Sequence, residues 1–68
     1  MKKIKINSDF IKLDSLLKFS GLCETGGHAK IEITQGNVTV NGEICIQRGR
    51  KIKPGDSVCF SGREIVVE

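Results

Sequence analysis

Tryptophan and tyrosine are absent from this chain of 68 residues, histidine and proline occur once each, and phenylalanine occurs three times. The single imidazole, His28, has no partner for a proton relay and no positioned nucleophile near it in sequence. Asp14, Glu24, Glu32 and Glu43 are scattered, and a solvated carboxylate is the default. Glu24-Thr25-Gly26-Gly27 lacks the Gly-Lys-Ser/Thr ending of a phosphate loop. A domain of this size hides only about 60% of its unfolded surface, which leaves little room for a catalytic cavity. These absences predict a non-enzymatic protein with no cofactor and no small-molecule substrate. With Phe10, Phe19 and Phe60 as its only aromatic rings beside His28, and at least two of the three fitting core positions, the chain also lacks a platform for stacking single-stranded bases.

Paired cysteines are missing too. Cys23, Cys45 and Cys59 are odd in number and show no Cys-x-x-Cys spacing, so neither a disulfide framework nor a metal site is expected. A zinc site from all three with His28 can be written down, but a small hydrophobic role suits them better. No apolar run approaches the roughly 20 residues of a membrane span. The opening Met1-Lys2-Lys3-Ile4-Lys5-Ile6 is basic without the apolar segment of a signal peptide, and the expectation is a cytoplasmic protein.

The most informative stretch runs from Ala29 to Gly42. Ala29, Ile31 and Ile33 are apolar positions for a packed helix, which Gln35-Gly36 ends, because glycine takes the left-handed C′ conformation without a Cβ clash. Asn37-Val38-Thr39-Val40 alternates as a half-buried strand does. Asn41-Gly42 supplies the two positive-φ residues of a type I′ hairpin turn.

Elsewhere, Lys3 to Ile6 alternates as a short strand, and Asn7-Ser8-Asp9 breaks it. Phe10, Leu13, Leu16 and Leu17 follow helical spacing and predict a first helix over roughly residues 10 to 20, with Gly21 as its stop. Thr25 is a candidate N-cap for the second helix, in which His28 to Gln35 follow the unusual pair Gly26-Gly27. Glu43 to Ile46 forms the return strand of the hairpin. Lys53-Pro54-Gly55-Asp56 fits a type II turn, and residues 57–60 and 63–67 make a final hairpin across Ser61-Gly62. One α+β domain over residues 1–68 is expected, with two short packed helices against a small, mainly antiparallel sheet of about five strands.

Eleven Lys and Arg against eight Asp and Glu leave a net charge of +3. Arg48, Arg50, Lys51 and Lys53 fall within six residues, while Lys12 starts the first helix and Lys30 lies early in the second. On one rim these cations suit a phosphate backbone, Arg by forked contact and Lys as a point charge. Charge alone fits a solvated surface loop equally well.

Four fragments occur in order: Lys12-Leu13-Asp14-x-x-Leu17, Thr25-x-x-x-Ala29-Lys30, Gln35-Gly36-x-Val38-x-Val40-Asn41-Gly42 and Lys51-x-Lys53-Pro54-Gly55-Asp56-x-Val58. Together they span roughly residues 10 to 60. The set resembles the ribosomal protein S-four-type RNA-binding domain, or αL motif, and its small stand-alone bacterial branch in particular. The resemblance implies a ribosome-linked protein that holds structured RNA, with Lys12, Thr25, Gly26, Gly27, His28, Lys30, Asn41 and the basic loop Arg48, Arg50, Lys51 and Lys53 facing it. A monomer is expected. Two departures stand out: the family usually has Arg where this chain has Lys12, and commonly an Arg where it has Gly26 or Gly27. Bare backbone N–H groups at the helix start can replace that arginine as a phosphate seat. Equally, the glycines can serve close helix packing. Two other classes compete. A sulfur-carrier-like β-grasp protein would need a Gly-Gly end, where this chain has Ile65-Val66-Val67-Glu68. A protein-interaction adaptor would keep the fold without RNA affinity.

Overall fold

Two sheets of unequal size carry the architecture of the computed structural model, which describes residues 2–68. The larger has five strands in the order β1 (Lys2–Ile4), β7 (Arg63–Val67), β6 (Ser57–Phe60), β3 (Val38–Val40) and β4 (Glu43–Ile44). Only β1 and β7 run parallel. The smaller sheet is a ribbon of two residues per strand, β2 (Ile11–Lys12) against β5 (Lys51–Ile52). Helices α1 (Leu13–Phe19) and α2 (Gly26–Thr34) pack on each other and on one face of the large sheet.

Alternation decides which side chains reach that face. Val38 and Val40 of β3, Val58 of β6, and Ile65 and Val67 of β7 are buried. Against them lie Leu13, Leu16 and Leu17, spaced three and four apart on α1, and Ala29 and Ile33 of α2. Ile52 of β5 closes the core under the ribbon. Thr25 caps α2, its hydroxyl accepting from the His28 N–H at 3.0 Å. Both hairpin turns have two positive-φ residues, Asn41 (52°) with Gly42 (86°) and Ser61 (55°) with Gly62 (76°), as the type I′ geometry demands. In the Lys53–Asp56 turn, the Asp56 N–H donates to the Lys53 carbonyl at 3.0 Å and Gly55 has φ +98°.

Several local expectations are corrected. The first helix covers Leu13–Phe19, because Ile11 and Lys12 are drawn into a strand. Ile11 pairs with Ile52 and Lys12 with Lys51, a partner some forty residues away that local periodicity cannot reveal. The Leu13 N–H then donates to the Arg50 carbonyl (2.9 Å) and the Asp14 N–H to the Arg48 carbonyl (3.1 Å), so the helix start is tied to the basic loop by backbone. Ile31 is 54% exposed. It stands two residues from both Ala29 and Ile33, about 200° round a helix, and cannot share their face. No phenylalanine enters the core fully: Phe19 is 66% exposed, and Phe10 and Phe60 are half-buried. The first strand spans Lys2–Ile4 and the return strand stops at Ile44, while the second helix begins at Gly26 behind its Thr25 cap, as expected.

Candidate nucleic-acid interface

The β2–β5 ribbon gathers cations that are distant in sequence. Lys12 pairs with Lys51, and the loop that ties to α1 carries Arg48 and Arg50. All four side chains are exposed. Among the described residues the one ion pair is Lys3 with Glu68 at 3.8 Å, so none of these four is in a salt bridge. The Lys51 ammonium lies 4.9 Å from the centre of the Phe10 ring, a cation–π contact that props the lysine over the ribbon.

Beside the ribbon, Asn41 and Asp56 clasp two turns together. The Asn41 amide donates to Asp56 Oδ1 (3.1 Å) and accepts from the Ser57 N–H (2.9 Å), while Asp56 Oδ2 accepts from the Lys53 N–H (2.9 Å). The Lys53 N–H, the Asn41 amide and the charges of Arg50 and Lys53 hold the Asp56 carboxyl below its ordinary pKa, against a smaller opposing push from burial. Much of the hydrogen-bonding capacity of Asn41 is therefore spent inside the protein. Its positive φ and its amide make the hairpin a rigid support for the basic loop.

The Thr25–His28 turn lies elsewhere. His28 meets Phe60 edge-on, with ring centroids 6.3 Å apart. Phe60 pairs with Val38, whereas Asn41 is bonded to Ser57, three residues earlier on β6. At about 3.3 Å per strand residue the two groups are separated by about 10 Å along the sheet. Lys30 is exposed and stands about 200° round α2 from His28, on another flank. The candidate residues thus divide into a ribbon group of Lys12, Asn41, Arg48, Arg50, Lys51 and Lys53 and a helix-start group of Thr25 to His28, with Lys30 turned away from His28 on α2. A Cβ built on Gly26 would meet nothing within 4 Å, and one on Gly27 only the Thr25 hydroxyl at 3.9 Å. Close packing is therefore not what either glycine serves.

A family model described as the S4 domain matches residues 4–68. The chain belongs to the S4 domain family. Among curated relatives, it is 39% identical over 57 residues to a protein of Escherichia coli named "Putative RNA-binding protein YbcJ", covering 84% of this chain and 81% of that one. It is 37% identical over 59 residues to a protein of Bacillus subtilis named "Probable ribosome maturation protein RlbA", covering 87% of this chain and 83% of the relative. The solution structure of E. coli YbcJ, described as revealing an αL motif involved in RNA-binding, superposes with a TM-score of 0.76 at 34% identity, over 98% of this chain and 86% of that one.

Two side chains of this S4 domain were not legible as site candidates. Arg63 lies directly across from Phe60 at the mouth of the last hairpin and is exposed. Phe10, read as part of a helix, instead lies against the ribbon lysine. Only the pairing register brings either one to the surface in question. Among the cysteines, Cys23 and Cys45 are buried. Burial, with the nearby Glu32 charge, pushes the Cys23 thiol above its ordinary pKa and keeps it protonated and inert. Among the described residues no three His, Cys, Asp or Glu side chains are grouped to hold a metal ion, and no helix is long and apolar enough to cross a membrane.

Proposed function

We propose that this S4 domain is a non-enzymatic, monomeric, cytoplasmic protein that docks structured RNA through phosphate contacts, its target being ribosomal RNA or an assembling ribosomal subunit. The observation that carries this reading is the β2–β5 ribbon, which aligns Lys12 and Lys51 beside a loop whose Arg48 and Arg50 form no salt bridge among the described residues. Exposed guanidinium groups and ammonium groups on a rigid edge suit recognition by shape and phosphate position. The names of the E. coli and B. subtilis relatives support RNA and the ribosome respectively. Lys53 extends the ribbon group, and Asn41 supports it with one amide hydrogen still free to reach out. The Thr25–His28 turn, with the open N–H groups of Gly26 and Gly27, and Lys30 are further RNA-facing candidates on the same small body, whose longest extent is 27 Å.

Filter binding to ribosomal RNA and to purified subunits tests the proposal. The wild-type protein should be retained, and a variant with Arg48, Arg50 and Lys51 each changed to Glu should be lost. A second reading, a protein adaptor without RNA affinity, draws on Ile44, 68% exposed on the edge strand β4, and Ile46 beyond it. Equal retention of both proteins on subunits, with neither held by naked RNA, would favour the adaptor.

A further inference from the structure

We propose that the cleft between α2 and the end of β6 is a subsite for one unpaired nucleobase, and that it selects guanine. The proposal rests on the RNA-binding reading above and adds what that RNA must present.

Glu32, Asn37, Phe60 and Ser61 line an open cleft of about 320 Å³. Phe60 is the one aromatic side chain that lines it. Phe60 packs half-buried on the core, and His28 stands against it at an interplanar angle of 80°. The part of the Phe60 ring that faces the cleft gives a flat base an apolar contact, and His28 holds that ring from the helix side. The cleft wall is polar. The Asn37 amide donates to Glu32 Oε1 at 3.4 Å, which steers the carboxylate and leaves at least one acceptor site on each of its oxygens.

That carboxylate decides the base. A surface made only for phosphates gains nothing from an anion here, whereas one that reads a base edge needs acceptors. Guanine alone among the four RNA bases offers adjacent imino and amino N–H donors on its pairing edge, matching the two oxygens of a carboxylate. Adenine and cytosine set a ring-nitrogen acceptor beside their amino group, and uracil flanks its imino group with two carbonyls. Either would turn an acceptor toward Glu32. Arg63, directly across the hairpin from Phe60 and without an acidic partner among the described residues, supplies a cation for the phosphate of the same nucleotide.

The test uses the intact protein with three short RNAs, each a single central base flanked on both sides by two uridines. The central base is guanine, adenine, or hypoxanthine, which keeps the imino donor and lacks the amino group. Fluorescence anisotropy gives Kd, and amide chemical shifts locate binding. Guanine should bind about tenfold tighter than adenine, by the usual worth of a bidentate contact, with hypoxanthine between them and shifts centred on His28, Glu32, Asn37 and Phe60. Glu32→Gln should abolish the guanine preference and tighten the adenine RNA, whose amino donor and ring-nitrogen acceptor match a side-chain amide. Phe60→Leu, which retains apolar volume, should weaken all three. Equal affinities for guanine and adenine, or a preference that survives Glu32→Gln, would overturn the subsite. If ribosomal RNA is still held through Arg48, Arg50 and Lys51 in that case, the RNA-binding reading stands without it. If the wild type holds neither the short RNAs nor ribosomal RNA, both fall.

Discussion

Removing the two arginines of the basic loop gives a sharp quantitative expectation. Arg48 and Arg50 fasten the start of α1 only through their carbonyls, which accept from the N–H groups of Asp14 and Leu13. Changing both to Gln keeps those bonds and deletes two guanidinium groups. If Lys12, Arg48, Arg50 and Lys51 each engage one phosphate, counterion release of about 0.7 per phosphate sets a slope of log K against log salt of about −3. The double variant should show about −1.4. Between 50 and 200 mM salt, wild-type affinity should then fall about 50-fold and the variant's about sevenfold. Anisotropy titrations on a ribosomal RNA fragment at four salt concentrations measure both slopes, and a thermal melt confirms that the variant is folded. A folded variant whose slope stays within about 0.3 of wild type would show that the loop does not grip phosphates, and the functional argument built on the ribbon would fail with it.

Three further outcomes follow from particular residues. Gly27 has an ordinary backbone conformation and open space at its Cβ, so Gly27→Ala should stabilise the fold by about 0.4–1 kcal/mol in urea denaturation. If its bare backbone seats a phosphate, RNA affinity should drop in the same variant; unchanged affinity with intact folding would remove that idea. Asn41→Gly keeps the positive φ and loses the clasp to Asp56 and Ser57, and should cost about 1–2 kcal/mol. No loss would mean that the turn conformation matters and the amide does not. Asp56 has a lowered pKa in the folded state, so its contribution is present above the ordinary carboxylate pKa of about 3.9 and is lost as pH falls through the folded value. Acid titration of stability should be shallower in Asp56→Asn, and identical acid limbs would contradict the assignment.

Local chemistry was enough to read both helices, the Thr25 cap, the type I′ turn at Asn41-Gly42, the final hairpin across Ser61-Gly62, the Lys53–Asp56 turn and the α+β class, because capping, positive φ and short-range periodicity are properties of a few adjacent residues. The ordered fragments from Lys12 to Val58 carried the family for the same reason: each is a local solution to a turn or a helix end. Tertiary structure decided what needed a partner far along the chain. The ribbon between Ile11–Lys12 and Lys51–Ile52 overrode a helical pattern, since a strand of two residues exists only where another offers its backbone. That pairing, and not the sequence spacing of the charges, set Lys12 beside the arginine loop. The exposure of Ile31 and the meeting of His28 with Phe60 were likewise settled by which face of each element met the core.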